Sequence, residues 1–227
     1  EDAEKFFNPS VSELAKPERL PGIAEASAAI LDAVEAKKEI VVFGDYDCDG
    51  VCACAILVTA LRKLGAVAEA FIPDRFAHGC GMTAASLAQM FREHPDVALV
   101  VTVDNGICSK REIAEIKARG VAVVVTDHHI PQEILPAAVA VVNPHRPDCE
   151  SEFKDYAGVG VAFKLVCALE GDDEWALNEY SDLVAIGTLA DIMPLSGENR
   201  TLVRAGLERI NAGTRPGLVA LAEVAGA

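Results

Sequence analysis

Short apolar runs recur along the first two thirds of the chain, near 39–43, 67–72, 98–103, 121–126 and 139–142, and they consist mostly of Val, Ala and Ile. Continuous rather than alternating runs mark parallel strands covered on both faces. Between them the period changes. Residues 22–36 place Ile23, Ala26, Ile30, Leu31 and Val34 on one helical face. Residues 51–64 are apolar for most of their length and closed by Gly65, as a helix C-cap would be, and 83–93 and 109–119 read as further helices. Strands alternating with helices predict an α/β fold: a doubly wound, mainly parallel sheet flanked by helices, with right-handed crossovers. From Tyr156 onward strand signals fade, and a helical C-terminal segment is predicted, with helices at about 159–170, 173–190 and 199–211. Pro194 should end the second of these, leaving Asp191 in its last turn. No closing element is legible after Gly217. The expected organisation is an N-terminal extension over 1–21, with Pro9, Pro17 and Pro21 among charged residues, an α/β core over 22–155, and a helical part of the same domain over 156–227.

The polar residues that follow these runs carry the chemistry. Behind Ile40-Val41-Val42-Phe43 comes Gly44-Asp45-Tyr46-Asp47-Cys48-Asp49-Gly50, with carboxylates at alternate positions. The run at 98–103 stops at Asp104-Asn105-Gly106, and the one at 121–125 stops at Thr126-Asp127-His128-His129. In an open α/β sheet the carboxyl ends of the strands border one crevice, so these residues can converge there. Crowded anions must bind cations or repel each other. Asp191 adds to the set, because an acid at a helix C-terminus gains nothing from the helix dipole and calls for a cation. The surrounding oxygen donors favour magnesium or manganese over zinc. The leading expectation is a metal-dependent phosphoesterase. A solvated acidic turn would explain the first loop alone, since Asp-Gly is a common turn signal. It does not explain the same feature at three strand ends.

Composition narrows the partners. With 20 Lys and Arg against 35 Asp and Glu, the chain carries a formal charge of −15, which argues against a basic nucleic-acid-gripping surface spread over it. Eight Phe, three Tyr and one Trp leave few platforms for stacking bases. If the substrate is DNA, this chain performs chemistry rather than gripping. The seven cysteines are odd in number and never spaced Cys-x-x-Cys, so reduced and mostly buried thiols are expected, including Cys48, Cys52 and Cys54 beside the acidic cluster. No apolar run approaches the roughly 20 residues of a membrane span, and the first residues lack the basic and apolar regions of a signal peptide. A cytoplasmic protein without membrane contact is the expectation.

Taken together, Gly44-Asp-Tyr-Asp-Cys-Asp-Gly50, Phe71-Ile-Pro-Asp-Arg75, Val101-Thr-Val-Asp-Asn-Gly106, Asp127-His-His129, Val142-Asn-Pro-His145, Ala157-Gly-Val-Gly-Val-Ala-Phe-Lys164 and Ile186-Gly-Thr-Leu-Ala-Asp-Ile-Met-Pro194 resemble the DHH phosphoesterase superfamily and, within it, the RecJ-like single-stranded-DNA exonucleases. The resemblance implies two divalent cations, Mn2+ or Mg2+. By motif, Asp104 would bridge them, Asp47 would bind one, and Asp49, His128 and Asp191 the other. Many superfamily members carry a histidine ligand where this chain has Phe43, and Asp45 looks like its replacement. The catalytic set is then Asp47, Asp104, His128 and His129, with His129 facing the scissile phosphate and Asp127 orienting an imidazole. Arg75, His145 and Arg146 are candidates for substrate phosphate contacts, whereas His78 and His94 read as surface residues. Gly158-Val-Gly160 would let backbone N–H groups approach a phosphate, or serve close packing.

Two departures stand out. Cys80 takes the place of a usual tyrosine, and nothing after Pro194 resembles the second, glycine-rich histidine-motif domain or the OB-fold of RecJ-like enzymes. The expected activity is 5′ to 3′ exonuclease action on single-stranded DNA in repair or recombination, with the strand gripped mainly by domains absent here. By resemblance, a single-stranded-DNA-binding protein or a helicase would be a partner. The alternatives are a phosphodiesterase for short oligonucleotides, cyclic dinucleotides or pyrophosphate, and a non-catalytic replication scaffold.

Overall fold

The structure, a computed structural model, describes Phe7, residues 10–79 and residues 81–226. Cys80 and most of the stretch before Ser10 lie outside the described residues. The strands are β1 (Glu39–Gly44), β2 (Val67–Phe71), β3 (Val97–Val103), β4 (Ala122–Thr126) and β5 (Ala140–Val142), within a residue or two of the apolar runs. They form a five-stranded sheet in the order β2-β1-β3-β4-β5. Every pairing is parallel. The helices are α1 (Ile23–Glu35), α2 (Cys48–Lys63), α3 (Arg75–His78), α4 (Ala84–Glu93), α5 (Lys110–Ala118), α6 (Gly158–Glu170), α7 (Asp173–Ala190), α8 (Gly197–Asn211) and α9 (Pro216–Ala225).

The period of two in a strand sorts β1 between two cores. Ile40 and Val42 pack with Ile30 of α1, Leu57 of α2 and Phe163 of α6, whereas Val41 and Phe43 pack with Leu87 and Met90 of α4 and Ile113 of α5. Helices cover both faces, as the doubly wound expectation required. Each such aliphatic side chain contributes about 1.5–3 kcal/mol on full burial, which is why the central strands tolerate almost no polar residue. The C-terminal helices share the first of these cores, through Tyr180 of α7 and Leu202 of α8.

The strand order fixes where a site can form. From β1 the chain steps outward to β2, then returns past β1 to β3 and continues to β4 and β5. The reversal opens a crevice at the carboxyl ends of β1 and β3. The aspartate loop leaves β1 there, Asp104 leaves β3, and Asp127 follows β4.

Several expectations needed correction. Helix α2 begins at Cys48 rather than near residue 51, because Asp47 caps it by accepting a hydrogen bond from Gly50 N at 3.0 Å. Leu31 is exposed, and Ala33 takes its place on the buried face of α1. His94 is not a free surface residue: its Nδ1 lies 2.7 Å from Glu39 Oε1, with the side chain 14 % exposed. His78 is half-buried and accepts a hydrogen bond at Nδ1 from Asp74 N. The chain does have a closing element, α9, although none of its residues is buried. Arg215 holds it by donating from Nε and a terminal nitrogen to both carboxylate oxygens of buried Asp182, at 2.7 and 3.1 Å. Hydropathy carries no trace of such a polar tether. Of the described cysteines, Cys52, Cys54, Cys149 and Cys167 are buried and Cys48 and Cys108 exposed, all as free thiols.

Candidate metal centre

Around the mouth of the crevice, potential ligand atoms fall into overlapping trios. Asp45, Asp47 and Asp104 form one, Asp49, His128 and Asp191 a second, and Asp104, His128 and His129 a third, the atoms within each lying within 4.8 Å of one another. Asp104 and His128 belong to more than one trio, so the groups adjoin. The residues singled out from the sequence as ligands therefore do come together.

Local structure explains how each is held. Asp104 follows β3 in a left-handed conformation, φ 60°, with only 2 % exposure. Asn105 secures this turn by donating from Nδ2 to the carbonyls of Phe43 and Val103, at 3.2 and 3.0 Å, which ties the ends of β1 and β3 together. Thr102 Oγ1 donates to Asn105 O, and Thr126 Oγ1 to Thr102 O, extending the tie to β4. The Asp49 carboxylate is gripped at the N-terminus of α6, accepting from Gly158 N at 2.6 Å and Val159 N at 2.9 Å. Thus the Gly158 and Val159 amides serve an aspartate rather than approaching a phosphate. Asp191 is the C-cap of α7 and brings Oδ2 to 3.7 Å from His128 Nε2. Asp104 Oδ1 lies 3.2 Å from the same nitrogen.

Asp127 is the organiser expected of it. Its Oδ2 accepts from Ile107 N at 2.9 Å, and its Oδ1 accepts from the backbone of His128 and His129 and pairs with His129 Nδ1 at 2.8 Å. Burial would raise the Asp127 pKa, but these hydrogen bonds and the imidazole outweigh it and hold the carboxyl below its ordinary value. The His129 imidazole, bonded to Asp127, is raised to about 9. It is therefore cationic at neutral pH, and its side chain is exposed.

The acids are strained in the opposite sense. Desolvation, then the nearby Asp49 and Asp47 charges, push Asp104 far above the usual carboxylate range. Desolvation likewise raises Asp49 to about 6 despite its two backbone donors. Burial and the neighbouring Asp47 raise Asp45, against a hydrogen bond from Tyr46 N. Two carboxylates 4.8 Å apart repel by about 3 kcal/mol at an effective dielectric of 20. Among the described residues no lysine or arginine forms an ion pair with Asp45, Asp47, Asp49, Asp104 or Asp191. Asp104 Oδ1 is also buried and accepts no hydrogen bond, His128 Nε2 at 3.2 Å being its polar neighbour. A hard, carboxylate-rich donor set with a waiting oxygen fits divalent magnesium or manganese.

The proposed phosphate contacts divide. Arg75 stands at the rim, its guanidinium 4.6 Å from the Tyr46 ring centroid. His145 lies near His128, and burial lowers its pKa, so it is a neutral neighbour at pH 7. Arg146 is committed elsewhere, chelating Asp148 and donating to the carbonyl of Val141. Three glycines border the aspartates of the site, and of these only Gly158 was marked in the sequence for close approach or packing. A Cβ on Gly158 would fall 2.5 Å from Asp104 Oδ1, one on Gly187 2.8 Å from Asp49 Oδ1, and one on Gly50 2.6 Å from Asp45 O. The visible signal was a glycine beside or within a helix, which the sequence alone also reads as ordinary packing.

Comparison with known proteins gives the relatives of this sequence and fold. The chain is 44% identical over 219 residues to the single-stranded-DNA-specific exonuclease RecJ of Dickeya dadantii (strain 3937), an alignment covering 90% of this chain and 38% of that relative. Its fold superposes on a crystal structure of exonuclease RecJ bound to manganese with a TM-score of 0.82 and 40% identity, covering 95% of this chain and 54% of that one. It also matches RecJ in complex with Mg2+ from Thermus thermophilus, with a TM-score of 0.66 and 36% identity over 97% of this chain and 28% of the other. The chain thus spans well under half the length of the curated relative. The profile of the DHH family, N-terminal domain, matches residues 39–188, which hold the aspartate loop, Asp104 and the histidine pair, and the chain belongs to the DHH family.

Proposed function

We propose that this chain is the metal-binding catalytic part of a RecJ-type exonuclease that hydrolyses phosphodiesters of single-stranded DNA. The observation that carries the reading is the pair of ligand trios, Asp45–Asp47–Asp104 and Asp49–His128–Asp191, joined where Asp104 approaches His128. Divalent cations held by these residues would supply Lewis acidity at a phosphodiester and lower the pKa of a bound water. The chain's own residues do the rest. The α6 amides fix Asp49, Asn105 fixes the turn that presents Asp104, and Asp127 keeps His129 protonated. Its cationic imidazole neutralises charge on a substrate phosphate, and Arg75 adds a second cation.

Residues 22–155 and 156–227 act in this reading as one catalytic domain. The formal charge of −15 assigns most of the grip on DNA to the additional length present in the relatives. A single-stranded-DNA-binding protein or helicase as partner, a cytoplasmic place of action and 5′ to 3′ polarity belong to the same reading. Among the described residues no helix is long and apolar enough to cross a membrane.

The test is manganese-dependent digestion of a 5′-labelled single-stranded oligonucleotide, with Asp104→Ala as control. Early release of labelled mononucleotide, absent in the variant, is expected. Full activity of Asp104→Ala would remove the shared ligand and the mechanism with it. The acidic surface also suits a small substrate, and a rate that falls steadily with oligonucleotide length would favour that reading.

A further inference from the structure

Strand β2 ends beside β1, with Phe71 in register with Phe43, so the segment leaving β2 rises at the same rim as the Asp45–Asp47 loop. Ile72 and Pro73 lead into α3, a single turn capped by Asp74, whose Oδ1 accepts from Phe76 N at 2.8 Å and Ala77 N at 3.2 Å. This turn lays the Arg75 guanidinium over Tyr46, the residue between Asp45 and Asp47, at 4.6 Å from the ring centroid. The same guanidinium lies 5.7 Å from the centroid of the Phe76 ring. Phe76 is 93 % exposed, more than any other large hydrophobic side chain among the described residues. No carboxylate forms an ion pair with Arg75 among those residues.

A single exposed apolar side chain is ordinary by itself. This one is part of a row, Tyr46, Arg75 and Phe76, that runs outward from the candidate metal centre and alternates π faces with a free cation. Such a combination recognises a nucleotide, with stacking for the base and charge for its phosphate. It needs no particular base, since each has a π face.

We propose that Phe76, beside the Arg75 guanidinium already read as a phosphate contact, is a stacking platform for a nucleobase of the single-stranded substrate. The inference rests on the reading of the chain as a single-strand exonuclease and names a positioning residue for it. Stacking on Phe76 holds the strand in register without entering the chemical step, so it acts on KM rather than kcat.

The experiment compares the chain with its Phe76→Ala, Phe76→Leu and Phe76→Trp variants on oligonucleotides carrying either normal or abasic nucleotides near the cleaved end. Full exposure of the ring makes all three compatible with folding. Base–aromatic stacking predicts that Phe76→Ala raises KM for the normal strand by about 5- to 150-fold with kcat nearly unchanged, and that Phe76→Leu recovers little of this. On the abasic strand the variants and the parent chain converge. Phe76→Trp keeps KM near the parent value, and its added emission, over the Trp175 background, is quenched by oligonucleotide without divalent metal. Equal KM for the parent chain and Phe76→Ala on the normal strand, with no quenching in Phe76→Trp, would overturn the platform while leaving the exonuclease reading intact. Hydrolysis of pyrophosphate but of no oligonucleotide would overturn both.

Discussion

A methyl group at Gly158 would lie 2.5 Å from both Cβ and Oδ1 of Asp104, closer than real side chains approach, whereas at Gly160 it would meet only the Tyr156 ring at 3.3 Å. Gly158→Ala is therefore expected to displace the Asp104 carboxylate and, on the proposed function, to lower manganese-dependent hydrolysis by about 100-fold, the scale of a 1 Å misplacement. Overpacking adds about 1–3 kcal/mol of destabilisation. Gly160→Ala should be milder on both counts, so rate and thermal unfolding for the pair test the claim, and equal effects would count against it. Asp127 supports a second prediction at this scale. Its hydrogen bond raises His129 to about 9, so the imidazole's contribution persists below that pH and fades as pH rises through it. Asp127→Asn keeps one acceptor oxygen for the His128 and His129 N–H groups, turns its NH2 toward Ile107 N and removes the charge, and the titration of His129 should fall toward 6.5. The expected outcome is activity reduced about 10- to 100-fold, most severely between pH 7 and 9. An unchanged histidine titration by NMR would refute the link.

Elements were legible where their residues obey a period and obscure where a single polar contact decides. The sheet was readable because strands buried on both faces must be apolar throughout. The site was readable because aspartates and histidines crowded at neighbouring strand ends would repel or desolvate one another without a cation to hold. The start of α2 was missed since Asp47 serves as both loop acid and N-cap, two roles with one appearance in sequence. The coupling of α6 to Asp49 was left open, because amides that hold a carboxylate 109 positions away look no different from amides awaiting a phosphate. Helix α9 was missed because it buries nothing and depends on Arg215. That dependence predicts the effect of cutting it. Arg215→Ala leaves Asp182 buried beside Arg209 Nε at 3.4 Å, a weaker partner, and should cost about 3 kcal/mol, the low end for breaking a buried pair. Denaturant unfolding measures the loss, and α9 should become the segment fastest to exchange its amides. A loss below the error of the measurement would mean the helix is held by something other than the tether.

At the scale of the molecule, charge, stability and cation binding form one equilibrium. The fold encloses carboxylates whose pKa values are raised, Asp49 to about 6 and Asp104 well beyond it. A folded pKa above the unfolded 3.8 means that the native state binds more protons than the unfolded chain. The contribution of these groups is thus fully present below pH 3.8 and is lost as pH rises through about 6 for Asp49, and over a higher range for Asp104. Divalent cations replace those protons, so their stabilising effect must grow over the interval in which protons leave. At a cation concentration of 100 times Kd the gain is about 2.7 kcal/mol. For a chain of this size that corresponds to about 5–10 °C in Tm. Manganese should therefore raise Tm by that amount at pH 8 and by much less at pH 5. Asp104→Asn separates electrostatic strain from simple loss of a ligand. Removing the most perturbed charge should make the metal-free variant more stable than the parent chain at pH 8, while the manganese shift shrinks. A variant that is less stable without metal at pH 8, or one that retains the full manganese shift, would show that Asp104 is neither the strained group nor the shared ligand.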